Sequence, residues 1–427
     1  MQKAEHINSY YAATAHEQAV HPALDGTVNA DVCIIGGGFT GVNAGLELAQ
    51  RGVKAVLLEA ARIGFGASGR NGGQIVNGYS RPLDVIAARY GGQAGRAIGG
   101  MAREGGDIIR ARVARYDIQC DLKSGGIIAA LNHAQFRGLA HRIKVWQSYG
   151  FADGFELLDK GCLQRHIKTE RYVGGLVDHY GGHMHPLNLV QGEAAAFASL
   201  GGVIYENTPV IAVSFGDTAT VKTAHGEVKA KTVLVCGNAY MQNLFPALES
   251  RVMPVSSQII ATEPLGVLAE TLLPTNMCVE DCNYILDYFR RSADNRILYG
   301  GGVVYGSQDS TSRNAKILPL LYKAFPDLHD TRIDYAWSGS FALTLTRFPQ
   351  IGRLAPNVYF SHGDSGHGVT TTHLLARLLA EAVTGETRRF DIFAGLPFFP
   401  FPGGQKFRVP LTVAGSWWYR FRDALGL

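Results

Sequence analysis

No run of about 18 apolar residues occurs in the 427-residue chain, so no membrane-spanning helix is expected. The opening MQKAEHINSYYAATAHEQ is polar and lacks the apolar core of a signal peptide. There is no dense Lys/Arg cluster, and 40 Lys+Arg against 36 Asp+Glu leave a net charge of +4. That gives no electrostatic case for nucleic acid. Cysteine is scarce, with six scattered residues. Cys33 and Cys236 lie in apolar strand-like runs, where a buried thiol is the default. Cys278 and Cys282 in CVEDC have no second pair nearby with which to hold zinc. A cytoplasmic protein fits these absences best. What the chain does have is 46% hydrophobic residues and 52 glycines. This predicts a globular protein of two domains with sizeable cores, many tight turns and close backbone approaches.

The glycines concentrate where chemistry begins. ADVCIIGGGFTGVNAGLELAQRGVKAVLLEA runs from Ala30 to Ala60. DVCII reads as a buried strand, FTGVNAGLELAQ as a helix stopped by Gly52, and VKAVLLE as a second strand. Between the first strand and the helix, Gly36, Gly38 and Gly41 form GxGxxG. Gly36 permits the tight turn, Gly38 lets backbone approach a pyrophosphate, and Gly41 lets helix and strand pack closely. The helix N-terminus offers unpaired N–H groups and a positive dipole end. Glu59, 23 residues after Gly36, is placed to accept bonds from a ribose hydroxyl. A dinucleotide site follows, with NAD and FAD both open. GGGVVYG at Gly300–Gly306 opens no helical pattern, so it reads as a turn or bulge. With one nucleotide site, a permanently held flavin is favoured over exchangeable NAD.

The next stretch narrows the choice. EAARIGFGASGRNGGQIVNGY, Glu59 to Tyr79, follows the acid with Gly-Ala-Ser and then Arg-Asn-Gly-Gly. Together with GGHMHPLNL, CVEDCNYILDYFR, DNRILYGGGVVYG, SGHGVT and FPGG, it resembles FAD-dependent amine and amino-acid oxidases of the D-amino-acid oxidase fold. The longer motifs are similar to a narrower bacterial group that degrades polyamines. The likeness runs from SYYAATA to the tail.

The resemblance implies a fold of class α/β plus α+β, a Rossmann-type FAD domain interleaved with a mixed-sheet substrate domain. Segments 28–85, 187–245 and 335–385 would form the FAD domain, and 86–186 and 246–334 the substrate domain. Residues 1–27 would be an N-terminal arm and 386–427 an aromatic, basic tail packed on its own protein or on a dimer partner. Flavin contacts are implied for Thr40, Ala60, Arg62, Ala67, Ser68, Arg70, Asn71, Gly72, Gly73, Gln74, Val210, Gly237, Gly363, Gly366, His367, Gly368, Val369 and Thr370. In this fold the helix after SGHG points its N-terminus at the flavin pyrimidine ring, where reduction places negative charge. Some relatives carry Lys where this chain has Thr370. Relatives that tether FAD use a Cys in the segment matching Trp337–Gly352, which contains none, so non-covalent FAD is expected.

The implied reaction is oxidation of a primary amine, with oxygen as acceptor, on a putrescine chain joined to glutamate; another amine or amino-acid oxidase of the same fold, or a dehydrogenase passing electrons to a quinone, stays open. Tyr284, Tyr288, Phe289, Trp337 and Phe341 are the expected aromatic wall. The glutamyl carboxylate calls for an arginine fork, for which Arg347 is the first candidate beside Arg353, Arg290 and Arg291. His183 and His185 in YGGHMHPLN lie two apart and would share a face if in a strand. Metal binding, a proton-handling place in the active-site wall and structural hydrogen bonding all stay open. No third ligand is evident and the chemistry requires no metal, so proton handling at a domain junction is carried forward. Monomer or homodimer remains open.

Overall fold

The computed structural model describes residues 5–17, 19–241, 244–306 and 314–425. Its first sheet is built around Gly26–Ile35. Parallel neighbours lie on both sides, Ala55–Leu58 and then Val203–Tyr205 on one, Gly226–Val235 and then Val358–His362 on the other. Gln350–Ala355 closes that edge antiparallel. Val210–Ser214 and Ala219–Thr223 form a hairpin flap on the first half of Gly226–Val235. AVLL and VCII are wholly or almost wholly buried, because a parallel sheet covered on both faces demands continuous apolar runs. The chain leaves Gly26–Ile35 for one side of the sheet and later fills the other. The carboxyl end of this strand is therefore the topological switch point, where α/β sheets bind ligands.

Among the described residues the second sheet has nine strands. Its order is Ile333–Thr344, Val252–Thr262, Ile297–Tyr305, Tyr288–Arg291, Cys278–Asp281, Lys123–Ala130, Gly174–His183 and Gln74–Ile75, with Phe155–Asp159 also on Gly174–His183. The run GGGVVYG continues a strand, and a bulge falls within it. Ser257 pairs with Val303 and Gln258 with Gly301, so Gly302, at φ 55°, has no partner of its own.

Helix Phe39–Gln50 has the expected extent, and helices Pro186–Ser199 and Gly368–Val383 pack against it. Gly385, at φ 98°, stands just past the last of them in the left-handed conformation that commonly ends a helix. Some segments drawn from the sequence cross between layers. Ile333–Thr344 pairs along Val252–Thr262, so the segment opening at 335 joins the first sheet only from Gln350. Helix Glu104–Arg115, from segment 86–186, packs on Gly368–Val383. Arg112 there lies 2.8 Å from the buried Glu47. The N-terminal arm is part of the core: Ser9 caps the short helix Tyr10–Thr14, and Tyr11 is fully buried against Trp337 and His185. The tail forms helix Gly404–Leu425. Arg408 donates to the carbonyls of Glu249 and Val252, while Phe407, Leu411 and Trp417 face outward. Among the described residues, no helix is long and apolar enough to cross a membrane.

Candidate active site

A cavity of about 930 Å³ opens at the switch point and runs into the space between the sheets. Its first compartment is lined by Gly36, Gly38, Thr40, Glu59, Ala60, Val210 and Gly237. Gly36 takes φ 108° and its missing Cβ would lie 2.9 Å from the Cys236 carbonyl oxygen. Only glycine fits there. Gly38, the N-cap of Phe39–Gln50, supplies no side-chain cap; the Ser68 hydroxyl accepts from the Phe39 amide at 2.8 Å, and the positive end of the helix faces the cavity as an anion site. Glu59 accepts from the Gly37 amide at 2.6 Å and the Ala61 amide at 2.8 Å. Burial raises its carboxyl, and these backbone bonds oppose the shift.

A second helix N-terminus reaches the same cavity. His367, Gly368, Val369 and Thr370 line it, and no side chain caps Gly368–Val383. The preceding loop is pinned by Asp364, which accepts from the Gly366 amide at 2.9 Å and from Asn238 at 2.6 Å. Asn238 in turn accepts from the Gly363 amide. Burial holds His367 neutral, with its pKa lowered to about 4. An uncapped N-terminus stabilises nearby anionic charge by about 0.3–2 kcal/mol.

Between the two helix ends lies the loop of Arg70, Asn71 and Gly72, with Ala67, Ser68 and Gln74 also at the cavity. It is held from behind. The Trp337 indole N–H donates to the Arg70 carbonyl at 2.9 Å, and Arg290 Nε donates to the Gly72 carbonyl at 2.8 Å. Arg290 Nη2 also donates to the Tyr11 hydroxyl at 3.0 Å, so the N-terminal arm braces this loop through one intermediary. A Cβ on Gly72 would meet the Tyr288 ring at 2.7 Å. Glycine there lets the aromatic wall close on the loop.

The far compartment is lined by Ser257, Ile259, Glu280, Tyr284, Tyr288, Phe341 and Arg347. Tyr288 shares a 3.1 Å hydrogen bond with Ser257. The Arg347 guanidinium lies 3.9 Å from the centroid of the Tyr284 ring, and its backbone takes φ 56°, a strained value for a non-glycine residue. Glycine cradle, acid at the strand end and two open helix termini on one cavity fit a dinucleotide whose far ring carries negative charge when reduced.

The match to known proteins agrees. The model of the FAD dependent oxidoreductase (DAO) family covers residues 31–382. The chain belongs to this family. Gamma-glutamylputrescine oxidoreductase of Escherichia coli (strain K12) is 51% identical over 425 residues, 99% of this chain and 100% of that protein. The solved structure of L-proline dehydrogenase from P. horikoshii superimposes with a TM-score of 0.72 at 20% identity, over 84% of this chain and 94% of that one. Glycine oxidase from Geobacillus kaustophilus gives 0.68 at 24%, over 84% and 95%. The architecture is thus the interleaved fold expected from the sequence.

Within this DAO-family site, several expected contacts lie elsewhere. Arg62 is outside the cavity, 3.1 Å from Glu206. Gly41, by contrast, does what the motif predicts, packing its helix onto the Gly36 carbonyl. Gly73 and Gly363, at φ 70° and 79°, serve their turns and pack against the Met184 carbonyl and Thr344. Trp337 is fully buried behind the loop and forms no part of the wall. Phe289 is buried on the opposite face of its strand, stacked on Tyr299. Arg353 lies 3.4 Å from Asp391, and Arg291 is within 4.0 Å of Glu270.

His183 and His185 also stay out of the cavity. The strand ends at His183, whose Nε2 bonds the Asn276 carbonyl at 2.7 Å. His185 is the N-cap of Pro186–Ser199; its Nδ1 accepts from the Asn188 amide at 3.1 Å and its Nε2 meets Thr14 at 3.1 Å. Burial, aided by the Arg290 charge, lowers both to about 3. Helix capping and arm docking occupy both ring nitrogens of His185; the buried Nδ1 of His183 has no partner among the described residues, but neither ring lines the cavity in which a proton would be handled. Among the described residues, no cluster of three or more His, Cys, Asp or Glu is placed to hold a metal ion. The sequence reading missed Glu280. The signal was present in CVED, where alternation puts Glu280 opposite the core-facing Val279.

Proposed function

We propose that this chain oxidises the primary amine of gamma-glutamylputrescine, using non-covalent FAD and oxygen, to an aldehyde with release of ammonia and hydrogen peroxide. The observation that carries this reading is the far compartment, an aromatic cavity with Arg347 in its wall, in a chain 51% identical to the E. coli enzyme over its whole length. FAD, when bound, supplies the two-electron oxidation that turns the amine into an imine, which water hydrolyses. The protein's task is to deliver a neutral amine. An alkyl ammonium titrates near 10.4, so at pH 7 only about 0.04% is neutral, a penalty of about 4.6 kcal/mol. Apolar walls formed by Ile259, Tyr284, Tyr288 and Phe341 lower that pKa by desolvation. Arg347 offers a planar fork to the glutamyl carboxylate, and stacking on Tyr284 holds the fork in place. Gly36, Gly38, Glu59, Gly237 and the two helix termini would hold the cofactor.

Anaerobic bleaching of the yellow holoprotein by a panel of amines tests this directly. Gamma-glutamylputrescine should reduce the flavin far faster than putrescine, and peroxide should appear when air is admitted. Equal rates for the two amines refute glutamyl recognition. Reduction without peroxide on reoxidation would point to another acceptor. Acid or heat should release intact FAD, since Trp337–Gly352 holds no cysteine.

A further inference from the structure

The cavity wall contains a carboxylate, Glu280, that has no partner among the described residues. Glu280 sits in strand Cys278–Asp281, between Ile128 on one neighbour and Tyr288 on the other. Alternation divides the strand cleanly. Val279 enters the core of the second sheet, and Asp281, on that same side, meets Arg171. Glu280 faces the opposite way and lines the cavity beside Tyr284, Tyr288 and Ser257. Among the described residues its carboxylate makes no hydrogen bond and no ion pair. The compartment's other charged wall group is Arg347, a cation. A far compartment walled by the Glu280 carboxylate and the Arg347 guanidinium suits a ligand with an ammonium at one end and a carboxylate at the other.

We propose that Glu280 is the group that receives the substrate's ammonium, orienting the chain so that its carboxylate end meets Arg347. This deepens the amine-oxidation reading and rests on it. Glu280 is half-buried, a carboxylate partly stripped of water without a partner is costly, and the incoming ammonium offsets that cost with a charge-assisted hydrogen bond. The same contact addresses the protonation penalty. Burial already raises the Glu280 carboxyl, and the same walls depress the ammonium. The proton can therefore pass from nitrogen to the carboxylate oxygen, breaking one N–H bond, forming one O–H bond and leaving two neutral groups in a dry site. The titratable and charged neighbours are Arg142 and Asp178, on the sheet face that Glu280 shares with Ile128 and Leu176, Cys278 and Cys282 along the strand, and Tyr288 beside it. Tyr284, Arg347, Arg70 and His367 share the cavity. Of these, Arg142 opposes the upward shift and Asp178 adds to it.

The test uses the holoenzyme and two probes that cannot be oxidised, followed by flavin absorbance. tert-Butylammonium has no hydrogen on its amine carbon, and pentanoate has no amine. Glu280→Gln should weaken tert-butylammonium binding about tenfold to a hundredfold and leave pentanoate unchanged. Arg347→Gln should do the reverse. Glu280→Asp, which keeps the charge, should recover part of the ammonium affinity. In turnover, Glu280→Gln should make kcat/KM rise more steeply with pH, since the amine must then arrive already neutral. Unchanged tert-butylammonium binding in Glu280→Gln, with amine still reducing the wild-type flavin, overturns this inference alone. A wild-type holoenzyme that no amine reduces and tert-butylammonium does not bind overturns the amine reading and this one with it.

Discussion

Asp281 and Asp287 bracket the loop that carries Tyr284, and one guanidinium serves both. Arg171 Nη2 lies 2.7 Å from Asp287 and 3.4 Å from Asp281. All three side chains are buried, so two negative charges share one positive charge. Burial and the neighbouring carboxylate push Asp281 up from 3.8 to about 7. The sign follows from which form the fold disfavours. Above pH 7 the folded protein must hold the charged form, whereas the unfolded chain carries it without penalty. The cost is therefore full above pH 7 and fades as pH falls towards 3.8. A shift of this size corresponds to roughly 4 kcal/mol at pH 8 and roughly 2 kcal/mol at pH 5.5. Asp281→Asn removes the charge and keeps an oxygen for the Asn283 amide, now 3.0 Å away. It should make the holoprotein more stable at pH 8, by an amount approaching that value, and the advantage should roughly halve by pH 5.5. Urea denaturation of wild type and variant, side by side at several pH values, measures the difference directly. Groups that titrate alike in both proteins cancel from it. An advantage that does not change with pH, or a variant less stable at pH 8, refutes the reasoning.

Three further outcomes are expected. Seven buried or partly buried histidines have depressed pKa values, His183, His185 and His362 near 3, His6 and His367 near 4, and His21 and His166 lowered by burial as well. Each of the first five contributes stability that is present above pH 6.5 and lost at about 1.4 kcal/mol per pH unit below it. Urea midpoints should therefore fall steeply from pH 6.5 to 5, and a flat profile would contradict the burial. His183→Ala and His185→Ala should lower stability and leave the rate of flavin reduction by substrate unchanged in rapid mixing; a slowed rate would restore proton handling to the pair. Tyr11→Phe removes one bond to the buried Arg290 guanidinium, worth about 1.5–3 kcal/mol. It should loosen the Arg70–Gly72 loop, seen as weaker FAD retention on dilution, and unchanged retention would mean that the arm does not brace the loop.

Local sequence was enough to determine the nucleotide half of this protein. GxGxxG needs only a turn, a helix start and a strand end, all within thirty-one residues from Ala30 to Ala60, and each piece has a backbone reason that no distant contact changes. The same holds for SGHG and its helix, whose open N-terminus is written in the glycines that precede it. The substrate half depended on which face each strand turned to the cavity, and that is a tertiary decision. Tyr288 and Phe289 are adjacent and equally aromatic, yet the pairing of their strand with Cys278–Asp281 and Ile297–Tyr305 sends one to the cavity and the other to the core. Trp337 and Phe341 share a strand, but the loop at Arg70 covers the first. His183 and His185 looked like a matched pair until the strand ended between them and a helix began at the second. Glu280 and Asp281 are neighbouring acids, and only the fold supplied Arg171 to one and open space to the other. Short-range geometry sets where a chain can approach a phosphate, whereas the company a side chain keeps is set by segments hundreds of residues away.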